Sequence, residues 1–411
     1  MLRRFRLNIP ENYPRQFWLL FWGMLLNASG GSMIWPFLMI YVSGRLHLPM
    51  AQSATLMTIN AATGMAFAFI AGPLADRLGR KGVMVTSLIV NGVGYIVMSR
   101  ADSLWSFALL MGLQGAFNPL YRVGADAMLA DLIPAENRME AYSWLRMSNN
   151  LGVAIGPALG GLIASTSYAY AFYMAAFSFL AYGLLLLLKA KETLPAHSKA
   201  SSQGAPGLAG YGTIFKDNRF LSFVGAFTLT QMTSLMIWVL MGVYAKTHYG
   251  LPESAYGLIP MTNAIMVVVL QVGVTSVTKR YPPLVVLAVG AMMYAGGAAS
   301  VAFAHNFWGF WGAMVIATFG ELIMIPTSNS YAANLAPESM RGRYMSIYGL
   351  TSGVAMAIAP VTGGWLNDNI GPRVTWYGAG LIGAISALVF LVIARRYPHE
   401  RQKSAEATPG D

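Results

Sequence analysis

The sequence has no cysteine, and this absence excludes disulfides, thiolate metal sites and thiol chemistry. Histidine is also scarce: the five present fall in predicted loops or the tail, and none is spaced from another like a pair of metal ligands. They are His47, His197, His248, His305 and His399. The sequence shows no phosphate-binding loop and no nucleophile triad either. We therefore expect no metal, no other cofactor and no enzymatic activity.

Charged residues are few as well. They make up 10% of the 411 residues, against 56% hydrophobic residues, whereas a soluble domain is about one quarter charged. Apolar windows of about 20 residues, long enough to cross a bilayer, occur at twelve places. They are 17–42, 51–75, 83–99, 104–131, 139–165, 169–188, 219–245, 254–278, 284–304, 308–333, 343–366 and 374–394. Only helices satisfy the backbone of such single segments in lipid, so we expect an all-α membrane protein with twelve transmembrane helices.

The net charge of +11 is unevenly distributed along the chain. If the N-terminus is cytoplasmic and the segments alternate, 21 of the 27 Lys and Arg residues fall on the cytoplasmic side. The positive-inside rule explains this bias, so a nucleic-acid partner is not needed to account for the charge. The basic start "MLRRFR" precedes a long apolar segment without a cleavage site, which indicates a retained first helix. We expect a multi-pass protein of the cell (inner or plasma) membrane with both termini cytoplasmic.

The chain contains an internal repeat. Residues 131–161 align without gaps on 334–364 when shifted by 203 positions, so that Pro134 falls on Pro337 and Pro157 on Pro360. The repeat predicts two pseudo-symmetric six-helix bundles, with a substrate site near the midplane between them. The expected boundaries are 1–189 for the first bundle, 190–218 for a cytoplasmic linker, 219–396 for the second bundle and 397–411 for a cytoplasmic tail. We expect the protein to be a monomer.

The stretch "GPLADRLGRK" (72–81) joins the second and third predicted helices. Gly79 permits a tight turn, and the Asp76 carboxylate suits the N-terminus of a facing helix. The stretch resembles the loop at this position in the Major Facilitator Superfamily. The matching residues are Gly72, Leu74, Ala75, Asp76, Arg77, Gly79, Arg80 and Lys81. The resemblance covers the whole chain and implies alternating-access transport, with this loop as a latch between the halves in the outward-facing state. A solvated loop whose arginines only set topology is the alternative.

The stretch "NLGVAIGPALGG" in predicted helix five spaces its glycines four residues apart. They are Gly152, Gly156 and Gly160, with Pro157 and Gly161 beside them. Small residues at this spacing let two helices approach closely, and proline bends a helix. The stretch resembles the antiporter motif of twelve-helix drug/proton exporters in the superfamily, which implies export. Ordinary helix packing is the alternative.

Predicted helix four carries three charged residues that bear on proton coupling. Relatives commonly have an arginine three residues before a Gln-Gly pair, but Met111 stands at that position here. Arg122 and Asp126, four residues apart, can pair along one face, either as a structural ion pair or as part of a proton relay. Asp131, at the cytoplasmic end of the helix, recurs in relatives and is a candidate for a proton exit path.

Glu321 lies midway along predicted helix ten, where a carboxylate in hydrocarbon costs at least about 2.5 kcal/mol. The 203-residue shift places Asn118 of helix four opposite it across the expected cavity. "GE" followed by Pro326 resembles a subset of multidrug/proton antiporters that use this glutamate for coupling. We expect Glu321 to carry protons; a neutral glutamate that hydrogen-bonds across helices is the alternative.

Polar and aromatic groups near mid-membrane are the candidates for the substrate cavity, because such groups face the bundle interior. They are Asn27, Asn60, Gln114, Asn118, Gln231, Trp238 and Asn263. The first hypothesis is a proton-coupled exporter of lipophilic, often cationic, small molecules. The alternatives are a carrier of sugars, metabolites or lipid head groups, which would need several basic or hydrogen-bonding groups in the cavity, and a receptor or scaffold without transport.

Overall fold

The computed structural model describes residues 13–134, 137–194, 214–337 and 340–397, and these residues form helices and no strand. The long helices are α1 (Arg15–Leu46), α2 (Met50–Leu78), α3 (Arg80–Met98), α4 (Leu104–Leu132), α5 (Arg138–Ala164), α6 (Tyr168–Lys189), α7 (Asn218–Tyr249), α8 (Leu258–Thr278), α9 (Pro283–Val301), α10 (Phe307–Leu335), α11 (Arg341–Asn369) and α12 (Pro372–Arg396). A one-turn helix, Glu253–Tyr256, precedes α8. Each expected apolar segment coincides with one long helix. Most of the expected linker (195–213) and tail (398–411) lies outside the described residues.

Ten of these helices are long and apolar enough to cross a membrane, and the protein is accordingly a multi-pass membrane protein. The two long helices outside this set are α4 and α5, although they contain 29 and 27 residues. Their mean hydropathy is lowered by polar side chains such as Arg122, Asp126 and Arg146. Polar residues within membrane segments face the bundle interior or a water-filled cavity, so we expect α4 and α5 to contribute side chains to such a cavity.

The helix packing repeats after a shift of six helices. In the first half (α1–α6), α1 packs on α5 and α6, α2 on α4, and α3 on α4 and α6. In the second half (α7–α12), α7 packs on α11 and α12, α8 on α10, and α9 on α10 and α12. Across the halves, α2 packs on α11 and α5 on α8, again as a symmetric pair. The sequence repeat thus corresponds to a repeated set of helix contacts.

The up-and-down path of the chain gives the molecule two ends. We call the end that carries the loop 72–81 the basic end, and the other the opposite end. At and near the opposite end the halves are joined: the Ala51 backbone N–H donates to Asp368 Oδ2 (2.8 Å), and the Thr58 hydroxyl donates to the Ala357 carbonyl (2.5 Å).

At the basic end, each half has polar contacts of its own. The Gln16 amide donates to the Lys191 carbonyl (2.8 Å) in the first half, and the Tyr344 hydroxyl donates to Asp217 Oδ2 (3.0 Å) in the second. On the basic side of α2, Phe69 is 71% exposed. The two halves therefore meet toward the opposite end and separate toward the basic end.

Candidate functional site

A cavity of about 330 Å³ lies within the first half, bounded by α1, α3, α4, α5 and α6, with Trp238 of α7 at its edge. Four of the expected cavity residues line it: Asn27, Gln114, Asn118 and Trp238. Sequence reasoning missed other lining residues because nothing local distinguishes them from lipid-facing ones. These include Ser32, Trp35, Tyr95, Tyr121 and Asn149. Among the described residues, no charged side chain lines this cavity.

Three side chains in the cavity wall hold buried polar atoms without a hydrogen-bond partner among the described residues: Asn27 Oδ1, Gln114 Nε2 and the Tyr121 hydroxyl. Gln114 is only 3% exposed. Buried polar groups of this kind are rare, because each one left unpaired costs free energy. The cavity wall therefore contains an unpaired acceptor on Asn27 and an unpaired donor on Gln114, together with the Tyr121 hydroxyl and the amides of Asn118 and Asn149.

The other three expected cavity residues do not line this cavity, and their place in a substrate cavity stays a prediction. Their amides are used in helix contacts instead. Asn60 Nδ2 donates to the Met111 carbonyl (3.0 Å), Gln231 Nε2 to Ser352 Oγ (2.9 Å), and Asn263 Nδ2 to Glu321 Oε2 (2.8 Å). An amide within an apolar bundle hydrogen-bonds to whichever neighbouring helix offers it a partner. The position of the amide in the sequence does not identify that helix.

Glu321 lies at the centre of α10 and contacts α8 through Asn263. The same Asn263 amide also donates to Thr318 Oγ1 (3.0 Å), one turn away on α10. The neighbouring Gly320 packs against the α9 backbone, where an added Cβ would lie 2.9 Å from the Gly290 carbonyl oxygen. The carboxylate is therefore held among α8, α9 and α10 in the second half.

Glu321 and the cavity are separate features. Asn118, expected to lie opposite Glu321 across one shared cavity, lines the cavity in the first half, whereas Glu321 does not line it. The sequence repeat relates the two positions correctly, but the cavity extends inward between α1, α3 and α6 rather than across to α10. A solute in this cavity and a proton on Glu321 would thus occupy different halves.

A polar stripe leads from the cavity toward the basic end. Asn118, Arg122 and Asp126 follow one another at four-residue spacing on one face of α4, and all three are exposed. Arg122 and Asp126 form no ion pair among the described residues, contrary to the pairing considered from the sequence. Exposed charges gain little from pairing, because water solvates each of them. On α5, the exposed Arg146 precedes Asn149 of the cavity wall by three residues.

We expect Arg122→Gln, Asp126→Asn and the double variant each to lower stability by less than about 1 kcal/mol, the range for exposed charges. A buried ion pair would instead lose about 3–5 kcal/mol on removal of one partner. Thermal unfolding of the purified variants measures this, and a double-mutant cycle gives the coupling. Glu253→Gln, which removes the charge of a buried carboxylate paired with the partly exposed Lys246, as described below, is the matched positive control. A single variant at Arg122 or Asp126 as unstable as that control would contradict the expectation.

In the loop 72–81, Arg80 contacts two carboxylates of its own half. Its guanidinium pairs with Asp76, and its Nε lies 3.6 Å from Asp131 Oδ2. The structure therefore brings together two latch residues and the proposed exit-path residue. Of the other motif residues, Arg77 is exposed, and the Lys81 ammonium donates to the Leu187 carbonyl (2.8 Å).

Glu192, just after α6, is a partner of this loop that the sequence analysis missed. Its carboxylate oxygens accept from the backbone N–H groups of Arg80 (2.9 Å) and Lys81 (3.1 Å), and so cap the N-terminus of α3. Gly79 has φ +88°, and a Cβ there would lie 2.2 Å from Glu192 Oε2. This position therefore requires glycine both for its backbone conformation and for its lack of a side chain. Gly72, by contrast, has nothing within 4 Å of a Cβ position. In this conformation Asp76 and Arg80 contact residues of their own half, and the latch between the halves stays a prediction.

The glycines of the helix-five motif face two different neighbours. Those at four-residue spacing, Gly152, Gly156 and Gly160, pack on α1; a Cβ at Gly160 would lie 2.1 Å from the Met33 carbonyl oxygen. Gly161 instead faces the second half, where its Cβ would lie 2.4 Å from the Glu253 carbonyl oxygen. The motif thus joins α5 tightly to α1 and also brings it against the other half.

Glu253 connects the halves at the opposite end. Glu253 is only 6% exposed. Its Oε1 accepts a hydrogen bond from the Tyr168 hydroxyl of α6 (2.8 Å), and its Oε2 pairs with Lys246 of α7 (3.0 Å). The sequence gives no signal for this contact, because Glu253 lies in a loop-like segment with ordinary composition. We call Tyr168, Lys246 and Glu253 the Glu253 clamp.

Comparison with known proteins gives relatives along most of the chain. A Na(+), Li(+), K(+)/H(+) antiporter of Planococcus maritimus is 29% identical over 391 residues, covering 87% of this chain and 89% of the relative. The multidrug resistance protein MdtH of Yersinia enterocolitica is 25% identical over 320 residues, covering 77% of this chain and 78% of that protein. Among solved structures, the nucleoside transporter NupG superposes with a TM-score of 0.79 at 12% identity, covering 92% of this chain and 99% of NupG; this likeness concerns the fold alone.

The family model of the Major Facilitator Superfamily matches residues 20–349 and 226–410. These ranges include α2 with its loop 72–81, the α5 motif and α10 with Glu321. The relatives by sequence and by fold are membrane transporters. The chain belongs to the Major Facilitator Superfamily.

Proposed function

We propose that this protein is a proton-coupled secondary transporter that exports lipophilic small molecules by alternating access. The observation that carries the proposal is the arrangement of the two halves. They are joined toward the opposite end and separate at the basic end, with a cavity in one half and an intramembrane carboxylate in the other. Such a molecule takes up a solute from one side and can release it on the other once the joined end opens.

Glu321 is the proposed proton carrier. A carboxyl group away from water is disfavoured as an anion, so a change in access between the two sides of the membrane changes its proton occupancy. The Asn263 amide donates to the carboxylate and supports the ionised form while the proton is absent. Protonation removes the charge and allows the second half to repack. Asp126 and Asp131, farther toward the basic end on α4, would pass protons between this region and the aqueous phase.

The direction of transport and the topology follow from supporting observations. Export is supported by the resemblance of the helix-five glycines, which pack closely on α1, to the exporter motif, and by two relatives that are named as an antiporter and as a multidrug resistance protein. The positive-inside bias would place the basic end and both termini in the cytoplasm. We further propose that all twelve long helices span the cell membrane and that the protein functions as a monomer.

The cavity lining favours a second candidate function, the transport of a neutral metabolite. A carrier of polar metabolites needs several hydrogen-bonding groups in its cavity, and Asn27, Gln114, Asn118 and Asn149 provide them. The two candidates differ in the solute but share the fold, the two conformations and the proton site.

Transport by purified protein in lipid vesicles tests the proposal. A pH-sensitive dye inside the vesicles reports proton movement when a solute is added against an imposed pH gradient. We expect proton flux coupled to an uncharged aromatic solute, and arms with a lipophilic cation, with Na⁺ and with K⁺ identify other antiport reactions. Absence of solute-linked proton flux in every arm would contradict the proposed function.

We expect Asp76→Asn to favour the conformation open at the basic end. Loss of the charge weakens the contact with a facing helix N-terminus by about 1 kcal/mol, which changes the populations about fivefold. Cysteine pairs placed across the basic end report closure through crosslinking, and the native chain has no cysteine to interfere. Asp102→Asn, an exposed aspartate at the opposite end, is the matched control. Crosslinking and transport equal to those of the control would disprove the latch.

A further inference from the structure

The cavity in the first half is unusual for a binding site in that no charged side chain lines it among the described residues. An ion transferred from water to such a site loses its hydration and finds no counter-charge there. The rings of Trp35, Tyr95, Tyr121 and Trp238 can attract a cation, but more weakly than a carboxylate does. The lining therefore favours uncharged molecules.

The charged residues that follow the cavity wall along α4 and α5 have the same preference. Arg122 lies one turn beyond Asn118 on α4, Arg146 lies one turn from Asn149 on α5, and Asp126 lies a further turn along α4. Two arginines against one aspartate leave a positive balance, which repels an approaching cation. A neutral molecule is not affected by this field.

The two unpartnered amide groups define what the neutral molecule must carry. Asn27 Oδ1 accepts and Gln114 Nε2 donates, and both are buried in the wall. A ligand with one donor and one acceptor, such as an amide, satisfies both. A site built to pair with polar groups rejects analogues that lack them, since its own groups stay unpaired.

The volume of the cavity and the composition of its wall limit the size and shape of the ligand. A volume of about 330 Å³ is near the lower end of the roughly 300–1,000 Å³ seen for ligand pockets. The aromatic walls suit one flat ring system, because rings stack or meet edge to face. One fused aromatic group with a short amide-bearing chain fits these limits.

We propose that the cavity binds small uncharged molecules in which an aromatic group adjoins an amide-like donor–acceptor pair, and that it discriminates against cations and anions of the same shape. This inference rests on the proposed transport function and specifies its substrate class. The substrate class is narrower than the one expected from the sequence, which included cationic compounds.

Three compounds on one scaffold test the charge preference. N-Acetyl-2-naphthylalanine amide is uncharged, 2-naphthylalanine amide is a cation at about pH 6, below the ordinary α-amino pKa, and N-acetyl-2-naphthylalanine is an anion. Binding of the tritiated compounds to purified protein is measured by scintillation proximity at about pH 6. We expect the uncharged compound to bind at least about tenfold more tightly than either ion, a difference that one unpaired polar contact already produces. Equal or tighter binding of the cation, or no binding of the uncharged compound at millimolar concentration, would overturn the proposal.

A pair of matched variants tests the contact itself. Gln114→Leu removes the donor and shortens the side chain by one atom, and we expect about tenfold weaker binding of the uncharged compound. Gln271→Leu is the control, because Gln271 donates to Thr275 Oγ1 and the Leu322 carbonyl away from the cavity. Its binding should stay within twofold of the native protein. Melting curves confirm that both variants fold. An equal loss in both, or none in Gln114→Leu, would count against the assigned donor.

The binding assay uses detergent-solubilised protein without a gradient, so it separates this inference from the proposed function. Selective binding without proton-linked transport would support the substrate class and refute the coupling. Proton-linked transport of a cation with weak binding of the uncharged compound would support the coupling and refute the substrate class.

Discussion

Glu321→Gln is expected to abolish uphill transport while downhill exchange of solute continues. Glutamine keeps the size of the side chain and can still bond to Asn263, but it has no proton to exchange. Because Glu321 is held among α8, α9 and α10 and does not line the cavity, binding of solute should stay within twofold of the native protein. The variant thus loses accumulation without losing recognition.

The measurement is solute accumulation in vesicles with an imposed pH gradient, together with counterflow in its absence. Glu140→Gln, an exposed glutamate in the first turn of α5, is the matched control and should transport normally. Gradient-driven accumulation by Glu321→Gln at the native level would remove Glu321 from the coupling mechanism. Loss of both accumulation and counterflow, with an unchanged melting temperature, would assign it a role in the conformational change.

Gly160→Ala is expected to destabilise the protein by about 3 kcal/mol, at the upper end of the usual cost of overpacking. The added methyl group would meet the Met33 backbone of α1, and backbone cannot rotate away as a side chain does. Gly225→Ala in α7 makes the same chemical change where nothing lies within 4 Å of the new atom. That control should be neutral or more stable by up to about 1 kcal/mol, because alanine favours helix.

Thermal unfolding in detergent and monodispersity by size-exclusion chromatography compare the two variants. A Gly160→Ala protein as stable as Gly225→Ala would mean that α1 and α5 can separate without loss. The four-residue glycine spacing would then have no packing role in this molecule.

The sequence predicted the helices and the repeat well, because both depend on hydropathy and on long aligned segments. It also selected Asn27, Gln114, Asn118 and Trp238, which line the cavity. It also named Asn60, Gln231 and Asn263, whose amides hydrogen-bond within the helix bundle and do not line this cavity. A helix that is apolar on most sides does not reveal which way a lone amide turns.

The contacts that the sequence could not reveal lie outside any motif. Glu192 and Glu253 are carboxylates in connecting segments, and each gains its role from a backbone or side chain distant in the chain. Tyr95 and Tyr121 contribute to the cavity wall. The sequence contains 20 tyrosines, and nothing in it identifies these two as cavity residues. Their positions follow only from how the helices rotate against one another.

The glycine contact between α1 and α5 also determines how local stability is distributed. Where two backbones touch without intervening side chains, neither helix can open alone, so amide protons in both should exchange with solvent slowly and together. The Glu253 clamp is different, because its hydrogen bonds can be replaced by bonds to water one at a time. Residues 253–257 should therefore exchange faster than the α5 residues against which they pack, so the boundary between slow and fast exchange lies between Gly161 and Glu253.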